Sequence, residues 1–324
     1  MLSRIAESLF WVGRYLERAD DTARLLDVET HRMLEGAAPD DLALCHSVLS
    51  VMGLPAPDGV DLNFNVVTQW LAFDAGQPSS IVSSLANARE NARGVRESIP
   101  SELWECLNAT FVTLGQRTAG ARVGGPRAYF GFARHVRERI AIAGGIADGA
   151  MSRDDGWRFL VLGRSIERLD MTARLLSVRL SQPQRLSDWV TTLRACSAYE
   201  AFLRTYRGRL SAARAVEFLL LDRLCPRSAY FALVSASTCL AEIGGSRGRL
   251  GPADEAARIL GRARAALEYQ SIGELSDDLP AHLLDLQRTC SDVGASIAKR
   301  YFHHDAIIGR RFEGDIATGR SVSA

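Results

Sequence analysis

An arginine at 14, the pair Glu17–Arg18, Asp20 and Arg24 fall within GRYLERADDTARLLDV, residues 13–28. The same charges return as Arg164, Glu167, Arg168, Asp170 and Arg174 in GRSIERLDMTARLLSV, residues 163–178. Spacings of three and four residues bring such groups to neighbouring positions on a helix. Three kinds of chemistry fit them. An enclosed Arg–Glu network fixes the register of packed helices, provided its charges pair. Arginine forks bind a carboxylate or phosphate of a ligand. Glu17 or Glu167, beside arginines, acts as a general acid or base. The residue types alone leave all three open.

A second charged block is ANARENARGVRESIPSELWECLN, residues 86–108. Arg89, Arg93 and Arg96 share one side of a helix, with Glu90 and Glu97 beside them. It is either a solvated ion-pair face or an extension of the arginine-lined site. Other constellations are weaker. GGSRG (244–248) matches the letters of a nucleophile elbow but follows an apolar helix where a strand is needed. ExxH pairs, HExxH and zinc-type Cys/His clusters are missing from the chain, so neither a metal nor another cofactor is expected. His303–His304 reads as a helix-terminal feature. Lys299 is the one lysine, which leaves no glycine-loop lysine for a nucleotide cradle.

These groups must be held by helices. Apolar residues recur at helical spacing over 3–34, 79–98, 100–117, 127–143, 153–180, 187–206, 211–224, 227–243, 253–270 and 279–302, and strand-like alternation is absent. In 3–34, Ile5, Val12, Leu16, Ala19, Ala23 and Leu26 form the apolar face, with Arg14, Glu17, Arg18 and Asp21 opposite. Phe10, Trp11, Leu25 and Val28 interrupt that polar side, which predicts a helix covered on most sides. Asp20 before Arg24 is the favoured orientation for an ion pair.

Residues 13–28 and 163–178 match without a gap at 11 of 16 positions. WLAFDAGQPSS (70–80) likewise matches FLLLDRLCPRS (218–228), pairing Asp74 with Asp222, Pro78 with Pro226 and Ser80 with Ser228. Two blocks in the same order at offsets of 150 and 148 imply a tandem duplication. The expected fold is therefore all-α, a helical bundle of two pseudo-symmetric repeats, 1–150 and 151–310, packed as one unit, with a flexible tail at 311–324. Asp21 becomes Met171 in the second copy, so it is expected to lie outside the constraint on the five shared charges.

Composition narrows the setting. Apolar residues make up 47% and charged residues 24%, as in an ordinary globular protein. A net charge of +1 gives no general pull toward nucleic acid or an anionic membrane. Six scattered cysteines read as reduced core residues. No segment reads as a leader or a membrane span, so a cytoplasmic protein is expected.

Three segments in order, MLSRIAESLFWVGRYLERADDTARLLDV, PSSIVSSLANARENARGVRESIPSELWECLN and EFLLLDRLCPRSAYF, resemble the bacterial alpha-E proteins, an all-helical group named for its ER motif. The ER pairs here are Glu17–Arg18 and Glu167–Arg168. The resemblance implies proximity to circularly permuted ATP-grasp proteins, as gene neighbours or fusions, with transglutaminase-like proteins nearby. ATP-grasp enzymes join a carboxylate to an amine through an acyl-phosphate. The expectation is a helical partner of such an amide ligase, not itself an enzyme, with Arg14, Glu17, Arg18, Arg24, Arg89, Glu90, Arg93, Arg164, Glu167, Arg168 and Arg174 as candidate ligand contacts. Two alternatives stand: an enzyme of the same small-peptide pathway using an ER-motif glutamate, and a ligand-free scaffold.

Overall fold

The computed structural model describes residues 3–302 except 37–39, 58, 184 and 245–253. Within these the chain folds as 14 α-helices and no strand. In the first half they are α1 (Ser3–Leu34), α2 (Asp41–Met52), α3 (Phe64–Phe73), α4 (Ile81–Gly94), α5 (Ser101–Val123) and α6 (Gly125–Ala150). In the second half they are α7 (Asp155–Leu180), α8 (Leu186–Ala195), α9 (Tyr199–Thr205), α10 (Ala212–Leu221), α11 (Ala229–Gly244), α12 (Glu255–Tyr269), α13 (Ile272–Asp277) and α14 (Leu279–Tyr301).

The helical spacing anticipates all of these but α2, α3 and α13. Those three are short, at 12, 10 and 6 residues, too brief for the periodicity to stand out. The stretch 187–206 is also not one helix. It breaks between α8 and α9, where Ser197 takes φ 52°, a left-handed conformation that ends a helix. The GGSRG segment beyond Gly244, His303–His304 and the tail at 311–324 lie outside the described residues.

In the first half, α1, α4, α5 and α6 each pack on the next and close a ring. In the second, α7, α11, α12 and α14 do the same. The two rings share a seam, since α1 lies along α7. The halves also interlock, because α2 packs on α7 and α8 on α1. Phe10, on the charged side of α1, is buried with its ring 5.5 Å from that of Phe302. Leu9, Phe10, Leu25 and Leu26 of α1 and Leu162, Ile166, Leu169 and Leu176 of α7 are all buried. Each such side chain stabilises the fold by about 1.5–3 kcal/mol.

Glycine sets how closely the two helices approach. A Cβ on Gly13 would collide with the Leu160 carbonyl and lie 2.9 Å from Arg164 N. One on Gly163 would collide with the Phe10 carbonyl. The contacts advance in the same direction along both helices, so α1 and α7 run parallel where they cross, and the charges one turn beyond each glycine face the opposite helix.

The other matched block forms a capped turn in both halves. Asp74 Oδ1 accepts from Gly76 N at 2.8 Å, as Asp222 Oδ1 does from Leu224 N at 2.9 Å. Ser80 Oγ caps α4 by accepting from Ser83 N at 3.0 Å and donates to the Asp74 carbonyl. Ser228 Oγ accepts from Phe231 N at 3.1 Å and donates to the Asp222 carbonyl. Such N-caps contribute about 1 kcal/mol each. Here they also fix where residues 79 and 227 point.

Candidate functional site

The parallel crossing turns the two ER pairs toward each other. Arg14 Nε and Arg18 Nε donate to Glu167 at 2.6 Å each. Arg168 grips Glu17 with both Nε and Nη2 at 2.8 Å. Both glutamates are buried, at 3% and 4% exposure, so the pairs are desolvated and their geometry decides whether they are tolerated. Within each helix, Asp20 accepts from Arg24 at 2.8 Å and Asp170 from Arg174 at 2.9 Å. Nine of the ten charges of the two motifs are thus paired at one crossing, while Arg164, among the described residues, has only an approach to Asp148, at 3.5 Å.

The exception has a cause that the motif does not contain. Arg227, in the turn before α11, enters the first-half cluster. It donates to Glu17 at 2.5 Å, Asp20 at 2.6 Å and Asp21 at 2.8 Å. The turn is held on α7 by Arg168 Nη1 donating to the Pro226 carbonyl at 3.1 Å and Thr172 Oγ1 to the Arg227 carbonyl at 3.3 Å. Glu17, Asp20 and Asp21 lie close enough together to hold a metal ion, but the Arg227 guanidinium already bridges them.

This overturns the expectation for Asp21. It is 5% exposed and bound to Arg227, so it belongs to the network. Its absence from the second motif has a counterpart. The matched blocks place Ser79 opposite Arg227 and Met171 opposite Asp21, so arginine and acid are present together or absent together. The matched turns carry this signal in the sequence, as Arg227 set against Ser79.

Electrostatics follow the pairing. Burial pushes the Glu17 carboxyl up, but the charges of Arg168 and Arg227 outweigh it and hold it at about 2. Burial likewise opposes ionisation of Glu167, and Arg14 and Arg18 outweigh it, leaving it below the usual carboxylate range. Asp21 goes the other way. Burial and then the Glu17 charge push its carboxyl well above the ordinary range, against the pull of Arg227. Arg227 is held firmly protonated, because Glu17, Asp21 and Asp20 outweigh its burial. A glutamate fixed as an anion with both oxygens bonded neither gives nor takes a proton near neutral pH.

Two cavities adjoin the crossing. One, of about 270 Å³, lies between α1, α6 and α7 and is lined by Glu17, Asp20, Arg24, Arg137, Arg164 and Arg168, among others. The second, of about 230 Å³, is lined by Arg14, Arg18, Ser79, Glu167, Asp170 and Arg174 with their neighbours. Arg137, on α6 and bound to Asp27 at 3.0 Å, was not among the candidates drawn from the sequence. Arg89, Glu90 and Arg93 are elsewhere. Arg89 donates to Asn108 at 3.1 Å, lies over the rings of Trp104 and Phe111 and pairs with Glu90. Arg93 pairs with Glu90 at 2.9 Å. The fold does not bring these three to the ER crossing.

Comparison with known proteins places this geometry in a family. A profile of the family described as a predicted alpha-helical domain with a conserved ER motif matches residues 1–302. An uncharacterised protein of Mycobacterium bovis is 27% identical over 306 residues, covering 87% of this chain and 34% of its own length. An uncharacterised protein of Mycobacterium tuberculosis is 26% identical over the same length and shares. The chain therefore spans about a third of the length of these relatives. No solved structure matches it.

Proposed function

This chain belongs to the Alpha-E family, and from that premise we propose that it is a non-catalytic helical partner of an ATP-grasp amide ligase, holding a carboxylate or peptide ligand at its Arg/Glu crossing. The observation that carries the reading is the length of the mycobacterial relatives. They join the matching unit to about twice as much further polypeptide, as expected of a unit that works beside another. The ligase as partner rests on the family resemblance. The spent state of both glutamates supports a binding role over an acid–base role.

The same premise favours a tandem origin for the two halves, supported by the paired capped turns and reciprocal ion pairs. A cytoplasmic site agrees with six buried, unbridged cysteines. No helix among the described residues is long and apolar enough to cross a membrane. The test is co-purification of the tagged full chain with a circularly permuted ATP-grasp protein, the partner that the family resemblance implies. Stable association at micromolar concentration supports the proposal; none, with or without ATP, refutes it.

A further inference from the structure

The two cavities differ in how one matched arginine is engaged. On the second-half side Arg14 is spent on Glu167 at 2.6 Å. Its matched counterpart Arg164 is displaced from Glu17, because Arg227 bonds there instead. Arg164 is left with the 3.5 Å approach to Asp148, beyond a good hydrogen bond, and makes no hydrogen bond among the described residues. Its side chain is 24% exposed and lines the larger cavity.

The space in front of it is created by α6. A Cβ on Gly144 would meet nothing nearer than Arg164 Nη1 at 3.9 Å, and one on Gly145 nothing within 4 Å. Arg24 and Arg137 line the same cavity. The carboxylate already beside Arg164 is loosely held. The Asp148 side chain is 47% exposed, and among the described residues its carboxylate accepts only a long hydrogen bond, from Trp157 Nε1 at 3.4 Å.

We propose that this cavity binds the carboxylate of an amino acid or short peptide on Arg164, the ligand replacing Asp148 there. The inference rests on the reading that the Arg/Glu crossing holds an anionic ligand, and it names the site and the ligand class. An arginine fork takes a carboxylate in two parallel bonds, and the occupant it now has is a carboxylate. A volume of about 270 Å³ is below that of sites for drug-sized molecules and suits a small metabolite.

The test titrates the full chain with L-glutamate, L-alanyl-L-glutamate and inorganic phosphate, by calorimetry and by tryptophan fluorescence, to which Trp157, bonded to Asp148, contributes. Saturable binding of the two carboxylate probes is expected. Asp148→Asn removes the competitor and should tighten binding several-fold. Arg164→Gln should weaken it about tenfold or more, the worth of a charged hydrogen-bond pair. Gly144→Leu fills the cavity and should abolish binding. Leucine favours the helix over glycine by roughly 1 kcal/mol, so lost binding there is not lost folding. The proposal is overturned if wild type and Asp148→Asn both fail to bind the carboxylates in the millimolar range, if only phosphate binds, or if Arg164→Gln and Gly144→Leu bind as wild type does. Lost carboxylate binding with ligase association intact overturns this site alone, and absent association overturns the partner reading alone.

Discussion

The joint presence of Asp21 and Arg227 predicts a specific non-additivity. Arg227→Ser writes the residue of the matched position, Ser79, into the first half. It leaves Glu17, Asp20 and Asp21 buried with one bridging cation fewer. Removing one partner from a buried ionic cluster costs about 3–5 kcal/mol. Asp21→Met writes in Met171. It removes the acid that burial and Glu17 already push toward neutrality, while Arg227 keeps Glu17 and Asp20, so its cost should be about 1 kcal/mol or less. The double variant restores the second half's arrangement, with Arg164 free to turn back to Glu17 as Arg14 does to Glu167. It should be less destabilised than the sum of the singles by about 1–3 kcal/mol, the range for residues in one network. Urea unfolding of the four proteins measures this, with equal m-values required across the set. Strict additivity, or a double variant worse than the sum, would refute the claim that the two positions form one unit.

Four further outcomes follow. Gly13→Ala and Gly163→Ala each push a Cβ into the facing helix backbone and should cost about 3 kcal/mol or more, seen as a fall in melting temperature; no fall means α1 and α7 do not cross that closely. The Glu17 carboxyl sits at about 2, against 4.5 when unperturbed. Its ionised form therefore stabilises the fold above pH 4.5, and that contribution, on the order of 3 kcal/mol, is lost as pH falls toward 2; acid unfolding of Glu17→Gln should lack that part of the pH dependence. All six cysteines are buried, and burial pushes the Cys196 thiol up to about 12, so a thiol reagent should react slowly with the native protein and with six groups after denaturation. Arg89→Ala, remote from the crossing, should shift stability by about 1 kcal/mol or less and leave carboxylate binding unchanged; a large binding loss would place the site on α4 and α5 instead.

Much of this was legible in the letters. The long amphipathic helices α1, α7 and α14 declare themselves because many turns repeat the same face. The ER pairs stand out because two similar motifs lie in one chain. What periodicity could not carry was pairing across the crossing. Helical spacing says that Arg14, Glu17 and Arg18 are neighbours on α1, but not that their partners are on α7 or that two glycines bring the backbones together. Arg227 was hidden for a related reason. It sits in a turn, more than 200 residues from the acids it bridges, and the turn's own signal, Asp222 with Ser228, speaks of capping. Met171 opposite Asp21 reads as a missing constraint until Ser79 opposite Arg227 is set beside it. Arg89, Glu90 and Arg93 satisfied the same local spacing rule as the ER residues, yet spend their charges on each other, on Asn108 and on aromatic faces.

The reading of this chain as an accessory to amide bond formation is tested most directly by reconstitution. ATP consumption by the purified ATP-grasp protein, with a carboxylate and an amine supplied, is measured as the full chain is titrated in. The predicted result is no turnover by this chain alone and a saturable rise in ligase turnover that levels off near equal amounts of the two proteins. Turnover that stays flat across the titration, or a reaction catalysed by this chain on its own, would contradict it.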